Sequence, residues 1–145
     1  MNAPLPTTGT AALLHQLSDF VPDDFINQLL PLHRGQGRRS LWSSAQLFRL
    51  TLLCLLTPAH SFNLLVRLLP EQRAWRCFAR LPNQWTVPTA SILHEFRHRL
   101  GAGPLRRVNR HLLLPLLEKF PPDRTAVALI DSTDLPAATS AYKKS

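Results

Sequence analysis

An aspartate stands at the end of an unbroken apolar run in the last part of the sequence. The segment TAVALID, residues 125–131, ends on Asp131. A run without polar alternation is typical of a strand covered on both faces of a sheet. Mg²⁺-dependent phosphoryl transfer uses clusters of such carboxylates, and Asp134 is the only other acid nearby. Asp131 is therefore a candidate catalytic residue and metal ligand of an incomplete site. Its alternative role is to cap a turn with Ser132 and Thr133.

Arginine dominates the charge of the chain. The sequence has 17 Lys and Arg against 9 Asp and Glu, a net charge of +8, and thirteen of the arginines lie between residues 34 and 110. Guanidinium groups make forked contacts with phosphate, so this surplus indicates an anionic partner, either nucleic acid or an acidic membrane surface. The alternative is a solvated basic face without a ligand. The candidate DNA-binding residues are Arg38, Arg39, Arg97, Arg106, Arg107 and Arg110.

A zinc-protease pattern also occurs in the sequence. His94, Glu95 and His98 match H-E-x-x-H, in which two histidines on one helix face bind zinc and the glutamate acts as a base. Arg97 and Arg99 would repel a dication, and no acidic helix downstream supplies a third ligand. Polar histidines on a helix surface are the favoured interpretation.

The elements that must position these residues are mainly helices. Apolar residues at helical spacing predict helices over about 9–19, 22–30, 44–57, 62–69, 71–81, 89–100 and 104–119. Ser43 to Gln46 forms an S-x-x-Q capping box before the third helix. Pro88 and Thr89 begin the sixth helix and Gly101 ends it. The residues expected to face inward include Leu64, Leu65, Leu68, Leu69, Trp75, Phe78, Ala79, Ile92, Leu93, Phe96, Leu100, Leu105, Val108, Leu112 and Leu116.

Two of these helices resemble a DNA-binding pair. Helices 89–100 and 104–119 are joined by a short turn that contains glycine, as in helix-turn-helix units. The predicted fold is mainly α, a helical bundle with a helix-turn-helix-like pair, followed by one isolated strand of an incomplete α/β domain. The predicted domains are a helical DNA-binding domain over 10–120 and the start of a second domain over 125–145.

Composition excludes several other classes of protein. Cys54 and Cys77 lack CxxC spacing, so we expect two small buried side chains in a reducing compartment and not a disulfide or a metal site. The most apolar stretch, residues 47–57, is too short to span a membrane and contains Arg49. The first 20 residues lack the pattern of a secretion signal. We therefore expect a cytoplasmic protein.

Three segments together resemble a known family. They are VPTASILHEFRHRLG (87–101), VALIDSTDLP (127–136) and, less specifically, RRSLWSSAQLFRLTLLCLL (38–56). In this order they resemble the amino-terminal part of bacterial insertion-sequence transposases of the DDE type, over roughly residues 20–136. The resemblance implies a helical DNA-binding domain that leads into a ribonuclease-H-like catalytic domain. Three acids of that domain bind two Mg²⁺ ions, and only Asp131 matches one of them here.

The resemblance also implies how the protein functions. The expected partner is double-stranded DNA, with no membrane, and the complete enzyme is expected to form a homodimer. The complete enzyme would need Mg²⁺ for cut-and-paste strand transfer. We expect this chain to be a fragment that is inactive alone and binds no metal, because the second and third acids should lie beyond residue 145. Two alternatives stay open, a stand-alone helical DNA-binding regulator and a helical module whose arginines contact an acidic protein.

Overall fold

The computed structural model describes residues 9–31 and 40–119, and within these ranges every regular element is a helix. The mainly α prediction is therefore confirmed for this part of the chain, whereas the predicted strand at 125–131 lies outside it. The helices are α1 (Gly9–Ser18), α2 (Asp23–Leu29), α3 (Ser44–Leu56), α4 (Phe62–Leu68), α5 (Arg73–Phe78), α6 (Ala90–Leu100) and α7 (Ala102–Leu117).

Helix α3 lies at the centre of the domain. It packs against α2, α4 and α6, while α1 packs against α5. Because α3 has neighbours on several sides, most of its apolar residues up to Leu53 are covered, and Leu47, Leu50 and Leu53 are almost completely inaccessible, whereas Leu55 and Leu56 at its end are exposed. The other helices contribute amphipathic faces to the same core. Among the described helices, α7 packs mainly against α2 and α6.

The predicted capping box begins α3. The Ser43 hydroxyl accepts a hydrogen bond from the Gln46 amide at 3.1 Å, and the Ser43 amide donates to Gln46 Oε1 at 2.9 Å. These bonds satisfy two amides at a helix start that would otherwise have no partner. Ser61 caps α4 and Thr89 caps α6 in the same way, with one side-chain acceptor each. The boundaries inferred from capping residues are thus confirmed.

Helix α5 ends in a Schellman turn that contains an arginine. The Leu81 amide donates to the Arg76 carbonyl, and the Arg80 amide donates to the Cys77 carbonyl. Arg80 has φ of 55°, a left-handed conformation that usually favours glycine. Gln46 Nε2 donates to the Arg80 carbonyl at 2.8 Å. The same glutamine therefore caps α3 and supports the turn after α5.

Most of the residues predicted to face inward are buried, including Trp75, Phe78, Leu93, Phe96 and Val108. The prediction is wrong for Leu64, Leu105 and Leu112, which are exposed, and for Cys77, which is exposed while Cys54 is half-buried. In α4 and α5 the buried stripe lies on the side opposite Leu64 and Cys77. In α7 the neighbouring helices cover only a narrow stripe around Val108, so leucines beside it remain in contact with solvent.

Candidate nucleic-acid interface

The arginine on the central helix is a core residue. Arg49 on α3 is 0% exposed, and its Nε donates to Asp23 Oδ1 at 2.8 Å. Its other donors contact the Ser18 hydroxyl and carbonyl at 2.9 and 2.8 Å, and the Phe78 carbonyl at 3.0 Å. These bonds join α3 to the ends of α1, α2 and α5. Arg49 therefore does not belong to the basic surface, because its guanidinium is buried and bound to protein groups.

Two further arginines are bound to the protein itself. Arg80 Nη1 lies 2.6 Å from Asp23 Oδ2, so Arg49 and Arg80 share one carboxylate. Arg76 Nη1 donates to the Leu69 carbonyl at 2.7 Å and to the Pro70 carbonyl, just after α4. A cation at the carboxyl end of a helix is favourable for the helix dipole. These contacts hold the Arg76 guanidinium in one position at the surface.

The arginines of α6 lie on opposite flanks of that helix. Arg97 is exposed and follows the buried Leu93 by four residues, which places it beside the buried stripe on the side of Cys54. Arg99 follows Phe96 by three residues, on the other flank, and its Nη2 donates to the Pro31 carbonyl at 3.0 Å. The outermost face between them carries His94, Glu95 and His98. Helix α6 therefore does not present its arginines as one row.

Helix α7 presents its arginines on the side away from the core. Arg106 and Arg110 are exposed, one turn apart, and each lies two residues from the buried Val108. Two residues span slightly more than half a helical turn, so both arginines lie opposite Val108. Arg107 is also exposed, on the flank of this face. The predicted residues Arg106 and Arg110 thus share one exposed face.

One histidine of the zinc-protease pattern contacts an aromatic ring, as does a histidine of α7. His94 lies edge-on against Phe62 at 4.9 Å between ring centroids, and His111 stacks on Phe25 at 4.1 Å. Within residues 9–31 and 40–119, no group of three His, Cys, Asp or Glu residues is placed to hold a metal ion. The interpretation of His94 and His98 as polar surface histidines is consistent with this arrangement.

A second basic surface was not predicted from the sequence. Next to the end of α5 is a pocket of about 420 Å³, named here the Trp85 pocket. Trp85 is 82% exposed, whereas the other two tryptophans of the chain are buried. The signal in the sequence was the dipeptide Gln84-Trp85 after the turn-forming Pro82 and Asn83, which places a large aromatic residue in a polar loop. The lining residues include Arg73, Arg76, Cys77, Asn83, Gln84 and Trp85.

One titratable group near the arginines has a perturbed pKa. Burial raises the pKa of the Cys54 thiol, and the positive charge of Arg97 opposes this increase. The thiol also donates to the Ala59 carbonyl at 3.2 Å. Cys54 is therefore a half-buried, weakly reactive thiol.

The remaining predicted site residues, Arg38, Arg39 and Asp131, lie outside the residues that the structure describes. The Mg²⁺ ion expected for the complete enzyme would bind at Asp131, so its site stays a prediction. No helix in the described part of the chain has the length and apolar character needed to cross a membrane.

The fold and these surfaces define a helical domain with exposed arginines on its last two described helices. A family model described as Transposase domain (DUF772) matches residues 6–99 of the chain. The chain therefore belongs to this transposase-domain family, which confirms the transposase resemblance. The DDE acids and the ribonuclease-H-like domain stay predictions, because the match ends before Asp131. Comparison with curated proteins finds no match. Comparison with solved structures finds none either.

Proposed function

We propose that this chain binds double-stranded DNA through α6 and α7 during DNA transposition. The arginines Arg97, Arg106, Arg107 and Arg110 contact phosphate oxygens of the duplex, with Arg106 and Arg110 at the centre of the contact. Such contacts provide affinity and orientation, and base-edge contacts would add sequence preference. The membership of a transposase-domain family supports a role in transposition.

The observation that carries the proposal is the exposed face of α7. Arg106 and Arg110 lie opposite the core and have no acidic residue one turn away on that helix, since the residues at 102, 103, 113 and 114 are uncharged. A pair of guanidinium groups on one helix face, with no acid within one turn on that helix, is suited to the closely spaced charges of a nucleic-acid backbone. The structure pairs Arg49 and Arg80 with Asp23, so those residues serve the fold instead.

The test is duplex binding across a salt series. A fluorescein-labelled duplex is titrated with the protein, and anisotropy is measured at several salt concentrations. For every phosphate of a B-form duplex that a variant no longer neutralises, the slope of log K against log salt should fall by about 0.9. The double variant Arg106→Ala with Arg110→Ala should therefore bind more weakly, and its slope should be shallower by about two.

A charge-matched control distinguishes a defined interface from general attraction. Arg67 is exposed on α4, so Arg67→Ala removes the same charge from another helix. It should leave the slope almost unchanged. Equal losses of affinity in Arg67→Ala and Arg106→Ala would contradict an interface on α7, and binding that does not respond to salt would contradict phosphate contacts altogether.

The second candidate function is contact with an acidic protein. Leu113 and Leu114 are exposed beside Arg106 and Arg110, and a mixed apolar and basic surface suits an acidic amphipathic partner. Leu113→Ser distinguishes the two functions, because it removes apolar surface without changing charge. Duplex affinity should be unchanged by it if phosphate contacts dominate.

For the complete enzyme, we propose Mg²⁺ as the cofactor and Asp131 as one of its ligands. The apolar run that precedes Asp131 and the DSTD sequence support this assignment. This chain alone should not cleave a labelled duplex in the presence of Mg²⁺. Cleavage by this chain that is lost in Asp131→Ala would show that a complete site forms within it.

A further inference from the structure

The Trp85 pocket combines a free aromatic face with two guanidinium groups. Trp85 is 82% exposed, although a tryptophan usually contributes buried apolar surface. Arg73 and Arg76 line the same pocket, and the described lining residues include no carboxylate. A pocket with these properties is electrostatically suited to an anion that also carries an aromatic or apolar group.

Hydrogen bonds from Asn83 support the loop that carries Trp85. Asn83 Oδ1 accepts hydrogen bonds from the Trp85 amide at 2.8 Å and from the Thr86 amide at 2.7 Å. The loop begins at the Schellman turn after α5 and ends at Pro88, which is buried. Because both ends and the turn are anchored, the indole is exposed on an ordered backbone. Ligand binding therefore costs less conformational entropy than it would on a free loop.

The charges at the pocket are positioned in advance as well. The carbonyls of Leu69 and Pro70 accept hydrogen bonds from Arg76. Its guanidinium is therefore positioned beside the pocket before a ligand binds. Arg73 lies one turn earlier on α5 and is exposed. Asn83 and Gln84 add amide groups that can bind polar atoms on the edge of a base.

We propose that the Trp85 pocket binds an unpaired nucleotide of single-stranded DNA, with the base stacked on the Trp85 indole and phosphate groups beside Arg73 and Arg76. Stacking on aromatic side chains together with basic residues is the usual way in which proteins hold single strands. A base inside a duplex has both faces covered by its neighbours, so it cannot use the indole. The ligand class is therefore different from that of the α7 face.

This inference rests on the proposed function only in that both surfaces bind DNA. The two surfaces lie on different elements, so separate variants test them. The probe is a fluorescein-labelled oligo-dT of about 12 nucleotides, within the range of common single-strand site sizes. Affinity is measured by anisotropy, and circular dichroism checks that each variant is folded.

Trp85→Ala should weaken binding of oligo-dT about tenfold, because one base loses its stacking surface. Trp85→Phe should keep most of the affinity, since a phenyl ring still stacks. Arg73→Ala should reduce the salt slope for the single strand by about 0.7. Trp85→Ala should leave duplex affinity unchanged. The double variant at Arg106 and Arg110 should weaken duplex binding and leave oligo-dT affinity unchanged.

Two further measurements locate the ligand. Trp85 is the exposed member of the three tryptophans, so oligo-dT should quench its emission in the native protein and not in Trp85→Phe. Cys77 lines the same pocket and is exposed, so bound oligo-dT should slow its alkylation. Undiminished oligo-dT affinity in Trp85→Ala, or the absence of any oligo-dT binding, would overturn this inference. Salt-dependent duplex binding that persists in either case would leave the proposed function intact.

Discussion

Helices α3 and α7 have similar lengths and similar numbers of leucines, yet the protein uses them in opposite ways. Helix α3 is surrounded by α2, α4 and α6, and even its arginine is buried. Helix α7 contacts α2 and α6 along one narrow side, and several of its leucines and all of its arginines are exposed. The cover that neighbouring helices give each side chain, and not its residue type alone, determines its role, since Leu55 and Leu56 at the end of α3 are exposed as well.

The comparison is clearest for arginine. Arg49 is desolvated, so its charge must be compensated inside the protein, and Asp23, Ser18 and Phe78 provide that compensation. Arg106 and Arg110 keep their hydration and are available to a ligand. A buried charge that loses its partner is costly, whereas removal of an exposed charge affects mainly binding. Substitutions of buried residues on α3 should therefore lower mainly the free energy of unfolding, whereas substitutions of the exposed arginines on α7 should lower mainly the affinity for a ligand.

One of the two largest expected effects is the loss of the Arg49 partner. Asp23→Asn removes the negative charge that compensates a fully buried guanidinium, so the free energy of unfolding should fall by about 3 kcal/mol. The measurement is urea unfolding followed by circular dichroism. Asp24→Asn is the matched control, because Asp24 is the exposed neighbour in the same first turn of α2. Equal effects of the two variants would contradict the role of Asp23 as the partner of Arg49.

A leucine truncation in each helix tests the comparison directly. Leu50 on α3 is 0% exposed, so Leu50→Ala should lower the free energy of unfolding by about 3 kcal/mol through reduced burial and a residual cavity. Leu113 on α7 is 42% exposed, and Leu113→Ala should cost about 0.5 kcal/mol. Urea unfolding measures both. A large destabilisation in Leu113→Ala would mean that α7 is packed more extensively than its exposure indicates.

A smaller effect should come from the glutamine that links α3 to the end of α5. Gln46→Ala removes the bond to the Ser43 amide and the bond to the Arg80 carbonyl, so we expect a destabilisation of about 1 to 2 kcal/mol. Gln46→Glu keeps an acceptor for Ser43 and removes only the donor to Arg80. It should therefore cost roughly half as much. Equal destabilisation in thermal or urea unfolding would show that the bond to the Arg80 turn is the dominant one.

The smallest expected effect concerns the two thiols. A thiol reagent should modify Cys77 first, because Cys77 is exposed and Cys54 is half-buried with a raised pKa. In Cys77→Ser the remaining reaction should be slow. A fast reaction in that variant would contradict the burial of Cys54.

The raised pKa of Cys54 also gives a pH dependence with a definite sign. The folded-state pKa lies above the ordinary value of 9.0, so the contribution of this group to stability is complete below pH 9.0 and is lost as the pH rises through the folded-state pKa. The free energy of unfolding, measured at increasing alkaline pH, should decline, and this decline should be smaller in Cys54→Ser. The same decline in both proteins would assign it to other groups.

Much of the fold could be predicted because its signals are local. The capping box at Ser43, the caps at Ser61 and Thr89, and the stop at Gly101 each depend on residues within one helical turn. The helix boundaries agree with these signals to within about two residues, the usual disagreement at helix ends. The buried stripe of α6 also followed from its spacing, since Leu93, Phe96 and Leu100 are all buried.

The errors arose where exposure depends on distant neighbours. Leu105 and Leu112 have the spacing of a core stripe, but α7 has too few neighbours to cover them. The sequence alone does not separate Arg49 from the surface arginines, because its partners are 26 to 31 residues away in sequence. The Trp85 pocket does not follow from local spacing, because Arg73 and Arg76 lie on α5 whereas Trp85 lies in the loop beyond it, and only the turn after α5 brings them together.

The amino-acid sequence by itself therefore determined the helices, their caps, the excess of arginine and the resemblance to transposases, because these properties depend on residue types and short spacings. Tertiary packing determined which arginines support the fold and which are available to a ligand. The physical reason is that a guanidinium group is costly to bury without a carboxylate, and only the folded chain places Asp23 beside Arg49 while it leaves Arg106 and Arg110 in solvent.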